Sequence, residues 1–264
     1  MIKLHNILFF ALLYCATINS NTSTYNSLGQ TGLINIPSAE VNDEQSIFFT
    51  FKKTSYEKHG TITVTPFDWL EASYFYYRPD DLLWGGFSKG LYLDKGFNIK
   101  FSYKPEFHLA PHLAIGLDDF AGTGMFSKEY VAATYNFNNV KLTSGIGWGK
   151  FVGDSKFKNP LSFISERFDF RQAESDYFDR GGNLSTDLWF RGNATLFAGF
   201  EVDVPKVKGL RFKLESNPFD YNDFSCCGEG QSDETPILRK NESDINFGFS
   251  YKYKNFGNID FAYI

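Results

Sequence analysis

The chain has 264 residues, of which 42% are hydrophobic and 22% charged, with a formal net charge of −5. Beyond the first residues no apolar run approaches the ~18 residues a spanning helix needs, which excludes a helical membrane protein. The 30 Phe and 15 Tyr carry too much apolar surface for a disordered chain, and an acidic balance without a basic cluster argues against nucleic acid as a partner.

Residues 1–20 read as a cleaved signal peptide. Lys3 supplies the positive start, residues 7–16 the apolar stretch, and Ile18-Asn19-Ser20 a cleavage site. Cys15 offers a second reading, a lipoprotein signal, against which stands Tyr14 where a small residue is usual. Residues 21–45 form a polar lead-in, and residues 46–264 a β domain.

Through that domain, strict apolar/polar alternation is the dominant pattern. Strands are expected at 46–53, 60–66, 69–77, 97–104, 112–118, 130–137, 140–148, 196–204, 210–215, 245–253 and 259–264. In 97–104, for example, Phe97, Ile99, Phe101 and Tyr103 alternate with Asn98, Lys100, Ser102 and Lys104. Asn136-Phe137-Asn138-Asn139 and Asn255-Phe256-Gly257-Asn258 look like hairpin turns. Long polar stretches cover 152–187 and 217–244, and a short helical piece fits around 163–173.

Roughly a dozen strands, many near the ~9–11 residues of a tilted membrane strand, point to an all-β fold: an antiparallel transmembrane β-barrel of the outer-membrane type. Aromatic residues near strand ends (Trp69, Tyr76, Tyr77, Trp148, Trp189, Tyr251, Tyr253) suit interfacial girdles. Gly116, Gly145, Gly147, Gly199 and Gly248 sit at non-apolar positions, where a barrel would have a crowded or water-filled interior. The competing fold is a soluble β-sandwich whose aromatic face packs on a second sheet.

Six stretches stand out: Gly32-Leu33-Ile34-Asn35-Ile36-Pro37-Ser38-Ala39, residues 94–101, the long motif GLDDFAGTGMFSKEYVAATYNF at 116–137, Ile146-Gly147-Trp148-Gly149, Trp189-Phe190-Arg191-Gly192 and Leu210–Glu215. In these the chain resembles the YjbH family, outer-membrane β-barrel proteins named for exopolysaccharide biosynthesis. The long motif is the most specific. Family members are typically much longer, and this chain stops at Ile264 inside a strand pattern, as a short member or an N-terminal fragment would. The resemblance implies an exported protein of the cell outer membrane of a Gram-negative bacterium. Its partners would be outer-membrane lipids, exopolysaccharide and the export machinery. It implies a non-enzymatic role in exopolysaccharide biosynthesis and export.

Five residues are candidate glycan or lumen contacts: Asp118, Asp119, Glu129, Trp189 and Arg191. The carboxylates on a glycine-rich connection could bind sugar or a cation, or be solvated or paired inside the barrel. As neighbours in an extended strand, Asp118 and Asp119 are expected to point to opposite faces. Arg191, beside Trp189, either stacks on sugars or pairs with an interior acid. The mixed charges of 166–180 read as a solvated loop. His59, His108 and His112 have no triad or metal spacing, and Cys226-Cys227 is an adjacent pair without a CxxC motif. No catalytic residue, cofactor or metal is therefore expected. The alternative function is a periplasmic or secreted protein that binds or cleaves glycans on a soluble β-sandwich.

Overall fold

The computed structural model describes residues 10–15, 23–80, 93–107, 109–124, 127–172, 184, 186–219, 243–254 and 257–264. Cys226, Cys227, His108 and the expected cleavage site lie outside them. No described helix is long and apolar enough to cross a membrane.

The strands are β1 (Phe10–Cys15), β2 (Ser46–Lys53), β3 (Glu57–Phe67), β4 (Leu70–Pro79), β5 (Asp94–Tyr103), β6 (His112–Asp118), β7 (Lys128–Phe137), β8 (Val140–Gly149), β9 (Thr195–Asp203), β10 (Leu210–Ser216), β11 (Ile245–Tyr253) and β12 (Gly257–Tyr263). From β2 to β12 each strand pairs antiparallel with the next, giving one continuous sheet of eleven strands in chain order. All eleven strands expected from alternation are present. The backbone of β1 pairs antiparallel with β2 and with β12, Leu12 lying opposite both Lys52 and Asp260. The expected short helix is replaced by two 3-10 turns, Pro160–Phe163 and Glu166–Phe168. Asn159 caps the first, its Oδ1 accepting from the Leu161 amide, and Pro160 stands at its start.

Next-neighbour pairing sends alternate connections to opposite ends. One end carries the short turns 68–69, 138–139 and 204–209; the other carries the long connections 150–194 and 217–244.

The two faces of the sheet differ in chemistry. One is apolar and solvent-facing: Phe49 is 51% exposed, and Ile62, Phe97, Ile115, Leu142, Leu196 and Phe247 are exposed beside it, by 41% to 67%. The buried face is polar. It carries Thr61, Thr63 and Thr65 on β3, Glu71 and Ser73 on β4, Asn98 and Lys100 on β5, and Arg211, Lys213 and Glu215 on β10. This inverts a soluble sandwich, whose buried face is the apolar one.

The sheet wraps around the lead-in. Residues 24–42 form a compact double turn rather than a strand. Asn26 Oδ1 accepts from the amides of Leu28 and Gln30, and Gly29 adopts a left-handed φ of 75°. Leu33, Ile36 and Ala39 pack with Ala114, Tyr130, Ala132, Phe151 and Phe197 from the sheet and its connections. Gly199 makes room for this: a Cβ there would stand 2.5 Å from Leu33 Cδ2. Tyr25 meets Phe48 of β2, and Ile34 packs on Ala262 of β12, so the same short segment touches the first and last strands of the eleven.

Candidate functional site

The polar face holds a network of charged groups aimed at the backbone of residues 24–42. Glu215 of β10 accepts from the amides of Ile34 (2.9 Å), Asn35 (2.8 Å) and Ile36 (3.3 Å), and from Asn246 Nδ2 of β11 (3.0 Å). Glu71 of β4 accepts from the Thr31 amide at 2.9 Å and from the Thr31 hydroxyl. Lys100 of β5 bridges Glu71 (2.9 Å) and the Thr31 carbonyl (3.0 Å). Lys213 of β10 bridges Asp260 of β12 (2.8 Å) and the Leu33 carbonyl (3.0 Å). Both Lys100 and Glu215 are 0% exposed. A buried charge is tolerated only when paired and hydrogen-bonded, and here each is satisfied by an opposite charge, a backbone dipole or both.

Around the rim, Thr63 donates to the Gly29 carbonyl, Ser102 to the Ala39 carbonyl, and the Ala39 amide donates to Thr134. Glu40 closes the segment's far end. It accepts from Asn136 of β7 and pairs with Lys141 of β8. Burial pushes the Glu40 carboxyl up, but the Lys141 charge and the hydrogen bonds from Lys141 and Asn136 outweigh it. The group is held below the ordinary 4.5.

The five expected contact residues fall in three places. Asp118 is on the inner face, paired with Lys128 (3.4 Å) and accepting from Gln30 Nε2 (2.7 Å), so it belongs to the network around the lead-in. Asp119 does not point to the opposite sheet face as the alternation predicts. β6 ends at Asp118, and a left-handed φ of 51° turns the chain at Asp119, so both carboxylates are buried. Its amide donates to Asn98 Oδ1 at 2.9 Å.

Glu129 lies on the other face of β7, under the β8–β9 connection. It accepts from Arg171 Nη1 (2.7 Å) and the Phe190 amide (3.1 Å), while Trp148 packs edge-on against Phe190. Arg171 also donates to the carbonyls of Leu188 and Ser127. These bonds fasten the long connection onto the ends of β7 and β8. Trp189 and Arg191 sit in that connection. Arg191 pairs with Asp187 at 3.7 Å, a partly exposed contact within the loop, rather than with an interior acid. It stands before β9, which begins at Thr195, so its side chain is not at an inward strand position. The five residues therefore do not converge on one site.

Sequence reasoning missed Glu71, Lys100, Lys213 and Glu215. Their signal was present: each is a charged residue within a strand, at a position alternation assigns to the non-apolar face. Among the described residues no group of three or more His, Cys, Asp or Glu is placed to hold a metal ion.

Fold and site together define an all-β protein of one antiparallel sheet whose buried polar face is filled by its own N-terminal segment. The chain belongs to the YjbH family: the family model described as "Exopolysaccharide biosynthesis protein YbjH" matches residues 24–264. That match takes in the lead-in together with the sheet. The chain is similar to a protein of Escherichia coli (strain K12) named "Uncharacterized lipoprotein YjbH", with 27% identity over 257 residues. The alignment covers 95% of this chain and 34% of that protein, so the chain spans about a third of the length of its relative. No solved structure matches.

Proposed function

We propose that this chain forms an outer-membrane β-barrel, or the barrel-forming part of a longer protein, that assists exopolysaccharide biosynthesis and export without catalysing a reaction. The observation that carries the reading is the inverted sheet: phenylalanines and isoleucines outward, lysines and carboxylates inward. In water an outward apolar belt of this extent is unfavourable, whereas in lipid it is the required surface. In lipid, too, an open sheet edge leaves backbone groups unsatisfied, which favours closure. Closure is further supported by a lead-in that reaches both β2 and β12. The family description supports the link to exopolysaccharide.

In this reading the glycan does not run along the inner strand positions. Glu71, Lys100, Lys213 and Glu215 are engaged by the chain's own backbone. Contacts with polymer or export partners fall to the two mouths and the long connections. Export starts from residues 1–20, either by cleavage after Ser20 or, as the relative's name suggests, by lipid attachment, for which Cys15 is the acceptor.

Fractionation of the native gene product tests the membrane part. Urea-resistant outer-membrane location with a heat-dependent gel shift is expected; release in the soluble periplasmic fraction would overturn it. Gene deletion tests the glycan part, with a changed exopolysaccharide yield expected and an unchanged yield refuting it. The mass of the mature N-terminus separates a start at Asn21 from an acylated Cys15.

A further inference from the structure

At the short-turn end of the sheet a cavity of about 460 Å³ opens between the β9–β10 connection, β10, β11 and the start of β12. Its charged lining is dominated by cations. Lys206 and Lys208 stand on the connection and Lys252 on β11, and among the described residues no carboxylate lies within ion-pair distance of these three. Arg211 adds a fourth cation, but it is neutralised by Asp203 at 2.7 Å and Glu201 at 3.7 Å. On a chain of net charge −5 this is a local reversal of sign.

The rest of the cavity is suited to a hydroxylated ligand. Ser250 offers a hydroxyl, Asn258, whose Nδ2 donates to the Ser23 carbonyl, its amide oxygen, and Val207 an apolar wall against which the C–H face of a sugar ring can lie. The wall is fixed rather than floppy: the Val204 amide donates to the Leu210 carbonyl at 2.8 Å, and the Lys252 amide donates to the Gly209 carbonyl at 2.8 Å, tying the connection to β11. A volume of this size lies within the range of small-ligand sites and accommodates a short saccharide.

We infer that this mouth binds carboxylate-bearing sugar units of an acidic polysaccharide, with Lys206, Lys208 and Lys252 pairing with the carboxylates. The inference rests on the reading given under Proposed function, and it specifies the class of polymer. The same cations would accept a lipid phosphate, so the test separates the two sources.

The experiment is isothermal titration of the full chain in detergent micelles with trigalacturonate, with maltotriose as the neutral comparator. Trigalacturonate is expected to bind, to weaken as NaCl rises, and to lose about tenfold in affinity in a K206Q/K208Q/K252Q variant that keeps its heat-dependent gel shift. Maltotriose is expected to bind far more weakly. Equal affinity of variant and parent for trigalacturonate, no binding by the parent, or preferential binding of phosphatidylglycerol micelles overturns the inference. Those failures leave the exopolysaccharide role standing if gene deletion still changes polymer yield. An unchanged yield on deletion overturns that role, whatever the titration gives.

Discussion

Glu215 and Asn35, 180 residues apart in the chain, are joined by two contacts: the Asn35 amide lies 2.8 Å from Oε1 and 3.1 Å from Oε2 of the carboxylate. The same carboxylate takes the amides on either side, so one side chain of β10 fixes the direction of a turn that has no strand partner. Replacing Glu215 by Ala strands four buried donors, the three amides and Asn246 Nδ2, and is expected to cost about 3–5 kcal/mol. Urea unfolding in detergent, followed by tryptophan fluorescence, measures it. Proteolysis within residues 31–37 is expected to accelerate in parallel.

Lys100 and Glu71 are expected to behave as a coupled pair. Lys100→Met alone leaves a buried carboxylate with only the Thr31 donors and is expected to lose about 3–5 kcal/mol. The double variant Lys100→Met/Glu71→Leu removes both charges and is expected to lose less than the sum of the single changes. A double-mutant cycle on the unfolding midpoint checks this.

Acid is expected to loosen the far end of the lead-in through Glu40. Its folded value lies below the ordinary 4.5, so the stabilisation is complete above 4.5 and is lost as pH falls through the folded value. Glu40→Gln is expected to cost about 1–3 kcal/mol at neutral pH and to flatten the loss of stability between pH 5 and pH 3. Unfolding midpoints of both proteins across that range test the sign.

The outward face is expected to reject charge. Phe49→Arg places a guanidinium on the apolar belt and, in lipid, is expected to cost about 2–4 kcal/mol. Thr50, the next residue, is buried on the polar face, so Thr50→Val is expected to perturb packing around the lead-in and not insertion. Refolding yields into liposomes compare the two.

Space beside Gly199 is expected to be limiting. Gly199→Val drives a side chain into Leu33 and against the Leu214 carbonyl, and is expected to cost about 1–3 kcal/mol. Leu33→Ala in the same chain is expected to recover part of this, since the backbone contact remains. Thermal midpoints of the single and double variants measure the recovery.

The strands were legible because each carries its own period-two signal, readable without knowing its neighbours. Phe97 to Lys104 announces a two-faced ribbon from eight residues. The lead-in was not legible, because its shape comes from an Asn26 turn and from partners such as Glu215 and Glu71, which no local pattern connects to it. For the same reason nothing local assigns partners to the charges on the strands. Asp119 was misplaced because alternation holds only while the backbone is extended, and the chain turns there at a φ of 51°. The region around 163–173 suggested a helix, but the chain there holds only two short 3-10 turns, Pro160–Phe163 and Glu166–Phe168.

The span between the lead-in and its anchors sets an order of events. Residues 24–42 are synthesised before every strand from β2 onward, yet Thr24 meets Glu201 across 177 positions and Asn35 meets Glu215 across 180. Hairpin pairing between successive strands can proceed locally, whereas this segment acquires its full set of contacts, Ile34 on Ala262 among them, only once β12 is in place. The earliest-made part of the described domain is thus the last to be fixed, and its locking reports that the sheet around it has been assembled.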